Sequence, residues 1–405
     1  MKIKISDILK YLMIVFISLF AFTPFEQYKT MMLIIPLFLG SILLILYLDK
    51  KFLHKNSSTF YIIGAMFLLD VLLTVSTSDS GHIRFFVTHK LFVYTWLLFL
   101  EFYCNKKNQL KTIINITLII FLFSSIFTIY GNILHPEASR LLATGLEIYK
   151  DQIQLYKSMN IGGYDFIYAS VFLILPLLNY INYEDKKILY IFLGVEIVTI
   201  MVGAYTIGIL LAFYSIVFYF IKSRDFKNGM ILVLIMTMLI LILKEPLLIG
   251  LGNIAEMINS DIIVKRSQEL LMGTYAIDYS GSRSRVQLYS NAFQNILNSP
   301  IGGLLLNNRT LLSSGHSNLL QYFEQYGIFG YIYIYYFVVW YKTVNKHLLD
   351  KKIKVQFKLY VVLVMIFVFL DTINSSYCVG IVCFFIGPGM FILADSDTRN
   401  RRRNL

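Results

Sequence analysis

Thr112–Tyr130, TIINITLIIFLFSSIFTIY, runs for nineteen residues without a charged side chain, and Lys106, Lys107 and Lys111 precede it. A helix rises about 1.5 Å per residue, so a run of this length is enough to cross the roughly 30 Å hydrocarbon layer of a bilayer. Similar runs occur on both sides: Ile8–Phe22, Met31–Tyr47, Thr59–Val75, Phe85–Phe102, Tyr164–Tyr180, Ile188–Gly203, Tyr205–Phe220, Met230–Leu247, Asn318–Tyr341, Phe357–Leu370 and Ser376–Ala394. The expected fold class is all-α: a polytopic membrane helical bundle of about twelve transmembrane helices. The seventh and eighth spans are divided only by a turn containing Gly203.

Composition supports this. Of 405 residues, 57% are hydrophobic and only 15% charged, with mean hydropathy +0.66. A water-soluble domain carries more charge and less apolar surface. The 29 tyrosines suit the headgroup level, where the ring is buried and the hydroxyl stays wet. The net charge of +12 argues for topology and against a nucleic-acid partner, because most Lys and Arg lie in short tails and loops between apolar runs. With the N-terminus cytoplasmic, the inner loops carry Lys50–Lys51–Lys55, Lys106–Lys107–Lys111, Lys186–Lys187, Lys222–Arg224–Lys227 and Lys346–Lys351–Lys352–Lys354. The tail adds Arg399, Arg401, Arg402 and Arg403. The short outer loops Thr23–Thr30 and Ser76–Ile83 hold one Lys between them. Both termini are therefore expected in the cytoplasm of a plasma (inner) membrane protein. Lys2 and Lys4 before an apolar stretch resemble a signal peptide, but no small-residue cleavage site follows, so the stretch reads as an uncleaved first span. Cys104, Cys378 and Cys383 form no metal or disulfide pattern.

Two outer segments are long, Gly131–Gly163 and Leu248–His316, and such loops are often functional. The chain thus divides into N-terminal spans (1–247), a large extracytoplasmic loop (248–316), and C-terminal spans with a basic tail (317–405). Within the large loop, Val286, Tyr289, Phe293, Ile296 and Leu297 recur at helical spacing and predict one apolar face. Ser282 or Ser284 caps its start, and Pro300 with Gly302–Gly303 ends it.

The stretch with the most chemistry opens the tenth span: His316-Ser317-Asn318-Leu319-Leu320-Gln321-Tyr322-Phe323-Glu324-Gln325-Tyr326-Gly327-Ile328-Phe329-Gly330. On a continuous helix His316, Leu320 and Phe323 share a face and Glu324 lies two turns from His316. A histidine titrates near neutrality and can accept a proton from a hydroxyl; the plain alternative is an interfacial histidine satisfied by water.

This stretch resembles a pattern of the O-antigen ligases and the related Wzy-type polysaccharide polymerases: His-[Asn/Ser/Gln], nine residues, then Gly-x-x-[Gly/Thr/Tyr]. His316-Ser317, Gly327 and Gly330 match it without a gap. The run from Arg283 to Asn298-Ser299-Pro300-Ile301-Gly302-Gly303 is similar to the family's "Arg … Asn-Pro-Leu-x-Gly" segment ahead of the histidine. Ile301 stands where Leu is common and Ser317 where Asn is commonest. The motif covers about Ser280–Gly330.

The resemblance implies a GT-C-like membrane glycosyltransferase that works without metal or cofactor. Its donor is an undecaprenyl-pyrophosphate-linked oligosaccharide and its product a growing polysaccharide on the outer face. A chain-length regulator and a flippase are the partners it suggests. His316 is then the catalytic base, and arginines hold the leaving pyrophosphate, because their planar fork matches phosphate oxygens. Arg283 and Arg285 stand at the start of the predicted loop helix, as an anion site or as a solvated basic loop. Arg84, at the outer end of the fourth span, either pairs with pyrophosphate or snorkels to headgroups. Tyr164, beside Asp165 at the mouth of the sixth span, is a candidate sugar contact. Glu324 either orients His316, binds acceptor, or packs. Lys265, Arg266 and Arg309 read as solvated loop charges. Lys90 has two intramembrane acids for company, Asp70 and Glu196, and the sequence does not choose between them.

Polymerase and ligase are barely separable at this level: a glycan ladder that collapses to single units on deletion favours the first, long glycan persisting on carrier lipid the second. A lipid-linked-oligosaccharide flippase or transporter is the non-enzymatic alternative. It would be expected to show repeated halves and helices broken at mid-depth, and the sequence displays neither.

Overall fold

The computed structural model describes residues 57–144, 149–184, 187–203, 205–220, 285–307, 317–370 and 377–403, together with Phe22, Ile231, Ile235, Ile249 and Asn253 singly. Regular structure among the described residues is entirely helical. The helices are α1 (Ser57–Thr77), α2 (Gly81–Tyr103), α3 (Lys107–Leu134), α4 (Ala138–Thr144), α5 (Lys150–Ser158), α6 (Tyr164–Glu184), α7 (Lys187–Gly203) and α8 (Thr206–Phe220). Then come α9 (Arg285–Asn298), α10 (Asn318–Tyr326), α11 (Tyr331–Asn345), α12 (Lys351–Leu370) and α13 (Tyr377–Ile381, a π-helical turn Val382–Ile386, then Gly387–Arg403). A π-helical turn also interrupts α2 at Phe86–Lys90.

Six of these, α1, α2, α3, α6, α12 and α13, are long and apolar enough to cross a membrane. Helices α7 and α8 are shorter, at 17 and 15 residues, and do separate at Gly203. A Cβ there would stand 2.8 Å from Ile167, so glycine lets α7 approach α6 closely. The expected spans Ile8–Phe22, Met31–Tyr47 and Met230–Leu247 lie outside the described residues, apart from Phe22, Ile231 and Ile235.

Burial sorts the bundle into centre and rim. The apolar window of α13 is 100% buried, that of α1 only 33%. Helix α6 packs against α7, α8 and α13 and forms the hub. On α1 the exposed side chains Tyr61, Leu68, Leu72 and Val75 recur at helical spacing, and α3 likewise exposes Ile119, Phe123, Ile126, Phe127 and Tyr130. Stripes of this size are stable only against an apolar surrounding, which is how a membrane covers them.

Polar links tie the helix ends together and separate the two sides. At one end Thr59 and Thr343 both donate to the buried Glu101 (2.9 and 3.1 Å), and Asp395 accepts from the amides of Leu349 and Asp350 (2.8 and 2.6 Å). Lys106 and Lys346 flank helices at this end, and Lys107, Lys187, Lys351, Lys352 and Lys354 lie in the first turn of theirs. The opposite end gathers Asp165, which accepts from the amides of Cys378 and Val379, with Tyr377, Ser139 and Tyr205. The lysine-bearing turns between α2 and α3, α6 and α7, and α11 and α12 thus fall at one end.

The segment 131–163 is largely helical, since α3 runs on to Leu134 and α4 and α5 follow. One expectation is corrected. The tenth span is not one helix: α10 stops at Tyr326, Gly327–Gly330 forms a 3-10 turn, and α11 starts at Tyr331. Hydropathy sees 318–341 as continuous because the break costs no apolar residue.

Candidate functional site

The predicted loop helix is present as α9 and ends where Pro300 requires. Its inward face is shifted from the predicted one. Ala292 is buried and the Tyr289 hydroxyl donates to the Leu370 carbonyl (2.8 Å), whereas Phe293 and Leu297 are exposed.

Directly after α9 the chain makes a glycine-dependent turn. The amide of Gly303 donates to the Ser299 carbonyl (3.0 Å), and the Ser299 hydroxyl donates to the Gly303 carbonyl (3.0 Å). Gly303 has φ +55°, and a Cβ on it would lie 2.3 Å from the Glu324 carbonyl oxygen. Across from it, Gly327 has φ +54° and ψ −132°. Its Cβ would lie 2.6 Å from the Pro300 carbonyl oxygen, the Ile301 carbonyl carbon and the Gly302 nitrogen. The amide of Ile328, freed by the helix break, donates to the Pro300 carbonyl (2.8 Å). Asn295 of α9 donates to the Glu324 carboxylate of α10 (2.8 Å). The two glycine-bearing halves of the sequence motif therefore meet backbone to backbone. Only glycine adopts both these dihedrals without strain and admits this approach. Gly330 adds a third close contact, to the Tyr322 carbonyl.

Ser317 caps α10: its backbone is extended and its hydroxyl accepts from the Leu320 amide (3.3 Å). The helix proper begins at Asn318. His316 itself lies outside the described residues. So does Arg283, and Arg285 is placed only as the first residue of α9. Glu324 is buried and accepts from Asn295 of α9. Arg84 is exposed on the first turns of α2. The Tyr164 ring packs on Tyr168 and Tyr205 (centroids 4.5 and 5.3 Å), and its buried hydroxyl has no hydrogen-bond partner among the described residues. Its neighbour Asp165 caps α13, a structural role.

The start of α13 touches both α2 and α6, through backbone groups and Asp165, without engaging the Arg84 or Tyr164 side chains in these bonds. The Thr88 hydroxyl donates to the Arg84 carbonyl (2.8 Å), and Tyr377 of α13 donates to the Thr88 carbonyl (2.9 Å). The next two amides of α13 reach Asp165. In the same π-helical turn, His89 stacks between Phe85 and Tyr377 (centroids 4.7 and 5.3 Å) with its Nδ1 2.6 Å from the Thr88 hydroxyl. Sequence reasoning missed this histidine, since nothing in its spacing marks a π-helical turn.

The choice left open for Lys90 is resolved. Its ammonium lies 3.0 and 3.1 Å from the two oxygens of Asp70, and both side chains are buried. Asp70 stands seven residues before the end of α1 and Lys90 nine after the start of α2. At about 1.5 Å per residue these are matching depths on antiparallel neighbours. Tyr326 of α10 donates to the same Asp70 oxygen (2.7 Å), and Lys90 lies 4.9 Å above the Tyr322 ring. Tyr322 and Tyr94 share a hydrogen bond (2.9 Å). Glu196 is elsewhere, buried in α7 and accepting from Ser125 (2.7 Å).

Compared with known proteins, the chain matches no protein-family model and no curated sequence. The fold defines a class, an all-helical bundle with apolar helices of membrane-spanning length.

Proposed function

We propose that the protein is a glycosyltransferase of the polysaccharide-polymerase type. It joins lipid-pyrophosphate-linked oligosaccharide repeat units on the outer face of the membrane. The observation that carries this reading is the latch between Pro300–Gly303 and Glu324–Gly330. Motif residues 24 to 27 positions apart in the chain, Pro300–Gly303 and Gly327, are one packed unit. In this reading His316 takes the proton of an acceptor hydroxyl, the hydroxyl oxygen bonds to the anomeric carbon of the donor, and the bond from that carbon to the lipid pyrophosphate breaks. The departing pyrophosphate carries the negative charge, and Arg283, Arg285 and Arg84 hold it.

The test is His316→Ala. Correctly inserted, abundant protein with no polymer is the expected result; normal polymer ends the catalytic assignment of His316. The broken helix and the intramembrane ion pair favour a second reading, a lipid-linked-oligosaccharide flippase, because transporters build substrate sites from discontinuous helices. Purified protein that elongates a lipid-linked repeat unit in detergent, where there is nothing to flip across, decides between them.

A further inference from the structure

We propose that Asp70, Lys90 and Tyr326 form a polar clasp that fixes the rotation and depth of α10 for the transfer reaction. The inference rests on the transferase reading above and adds positioning residues to it.

Three observations converge. First, one Asp70 oxygen accepts from both Lys90 (3.0 Å) and Tyr326 (2.7 Å), so α1, α2 and α10 are tied at one atom. Second, Lys90 stands 4.9 Å from the Tyr322 ring and 5.8 Å from the Tyr326 ring, both on α10 one turn apart. Cation–π attraction strengthens when desolvated, and Lys90 is 2% exposed. Third, the π-helical turn Phe86–Lys90 ends on this lysine. A π-helical turn shifts the register of everything after it, and such turns concentrate at functional sites.

Stability alone does not account for the arrangement. A buried ion pair is commonly replaceable by apolar residues without loss, since two desolvation penalties offset the attraction. What the pair supplies here is direction. Helix α10 is nine residues long and ends at a break, so its own hydrogen bonds hold it weakly. The glycine latch fixes its C-terminal end. The clasp fixes its rotation, because Tyr322 and Tyr326 must face Lys90 and Asp70 together. With rotation and depth set, α10 and its Ser317 cap have a fixed place.

The experiment uses full-length protein in nanodiscs. The key variant is the apolar triple Asp70→Leu/Lys90→Met/Tyr326→Phe, in which no buried polar group loses its partner. Tyr326→Phe is the minimal companion, deleting one hydroxyl. Amide hydrogen exchange over 317–326, thermal unfolding, and kcat and KM on a lipid-linked repeat unit are measured. The expected triple unfolds at the wild-type temperature. Its α10 amides exchange about tenfold faster or more, while α12 is unchanged. Its kcat falls on the order of a hundredfold with KM nearly unchanged, as a displacement of about 1 Å produces. Tyr326→Phe moves in the same direction by less. Wild-type exchange in the triple overturns the clasp. So does faster exchange with wild-type kcat, because α10 would then be held without positioning anything. If His316→Ala still forms polymer, the transferase reading falls, and the exchange data alone judge the clasp.

Discussion

Replacing Gly327 by alanine tests the latch on which the functional reading depends. Two costs are separable. At φ +54° and ψ −132° a residue with a Cβ is strained, by about 1–3 kcal/mol. The Cβ would also meet three backbone atoms at 2.6 Å, closer than real Cβ contacts come. Those atoms belong to the 300–302 turn, which is itself held by Gly303 and the Ile328 amide, so they cannot swing aside as a side chain does. Overpacking of this kind adds about 1–3 kcal/mol. Together the loss is about 2–6 kcal/mol, at the severe end for one substitution. Gly64→Ala and Gly194→Ala are the controls, since nothing lies within 4 Å of either added Cβ. Both lie inside helices, so alanine is expected to stabilise them by up to about 1 kcal/mol. Purified variants in detergent, heated in steps and assayed for the monodisperse fraction, give the ranking. If Gly327→Ala survives heating as well as Gly64→Ala, the backbone contact does not exist as described and the motif's glycines need another explanation.

Other outcomes follow from the same structure. Asp165→Ala removes the acceptor of two α13 amides and should destabilise by about 1–3 kcal/mol in the same heating assay, with Asp165→Asn milder because one oxygen remains. Stability equal to wild type in Asp165→Ala would remove its capping role. Glu196→Gln keeps the Ser125 bond and deletes a carboxyl buried without a cation among the described residues, so abundance and heat resistance should match or exceed wild type. A large loss of either points to an unrecognised partner. Arg283→Lys/Arg285→Lys keeps both charges and loses both forks; the transfer rate from a lipid-linked donor is expected to fall about tenfold or more, and an unchanged rate argues against a pyrophosphate clamp.

Legibility differed by the kind of physics involved. Span positions were readable because apolar length is a sum along the chain, and α1, α2, α3, α6, α12 and α13 lie where hydropathy puts them. The helix over 285–298 was readable from periodicity, but its inward face was not. That face depends on which neighbour it meets, and Tyr289 found the end of α12 while Phe293 and Leu297 were left outside. The break at Gly327 was hidden in plain composition, since a glycine in an apolar run is common in spanning helices. The pairing of Lys90 was legible in retrospect from its depth relative to the turn between α1 and α2. The two tyrosines of α10 that complete the cluster were inside the quoted motif, yet their spacing of four reads equally as ordinary packing.

The broken helix and the large loop explain each other. Inside a bilayer an irregular backbone survives only where protein, not lipid, covers its polar groups. At the break the Gly327 amide still reaches the Phe323 carbonyl, and the Ile328 amide, which has lost its helical partner, is taken by Pro300. The segment from Ser299 to Leu306 is therefore the cover for α10's open end, and it must sit at the depth of the break. That requirement packs the turn after α9 onto the open end of α10, so the break and the turn form one structural unit.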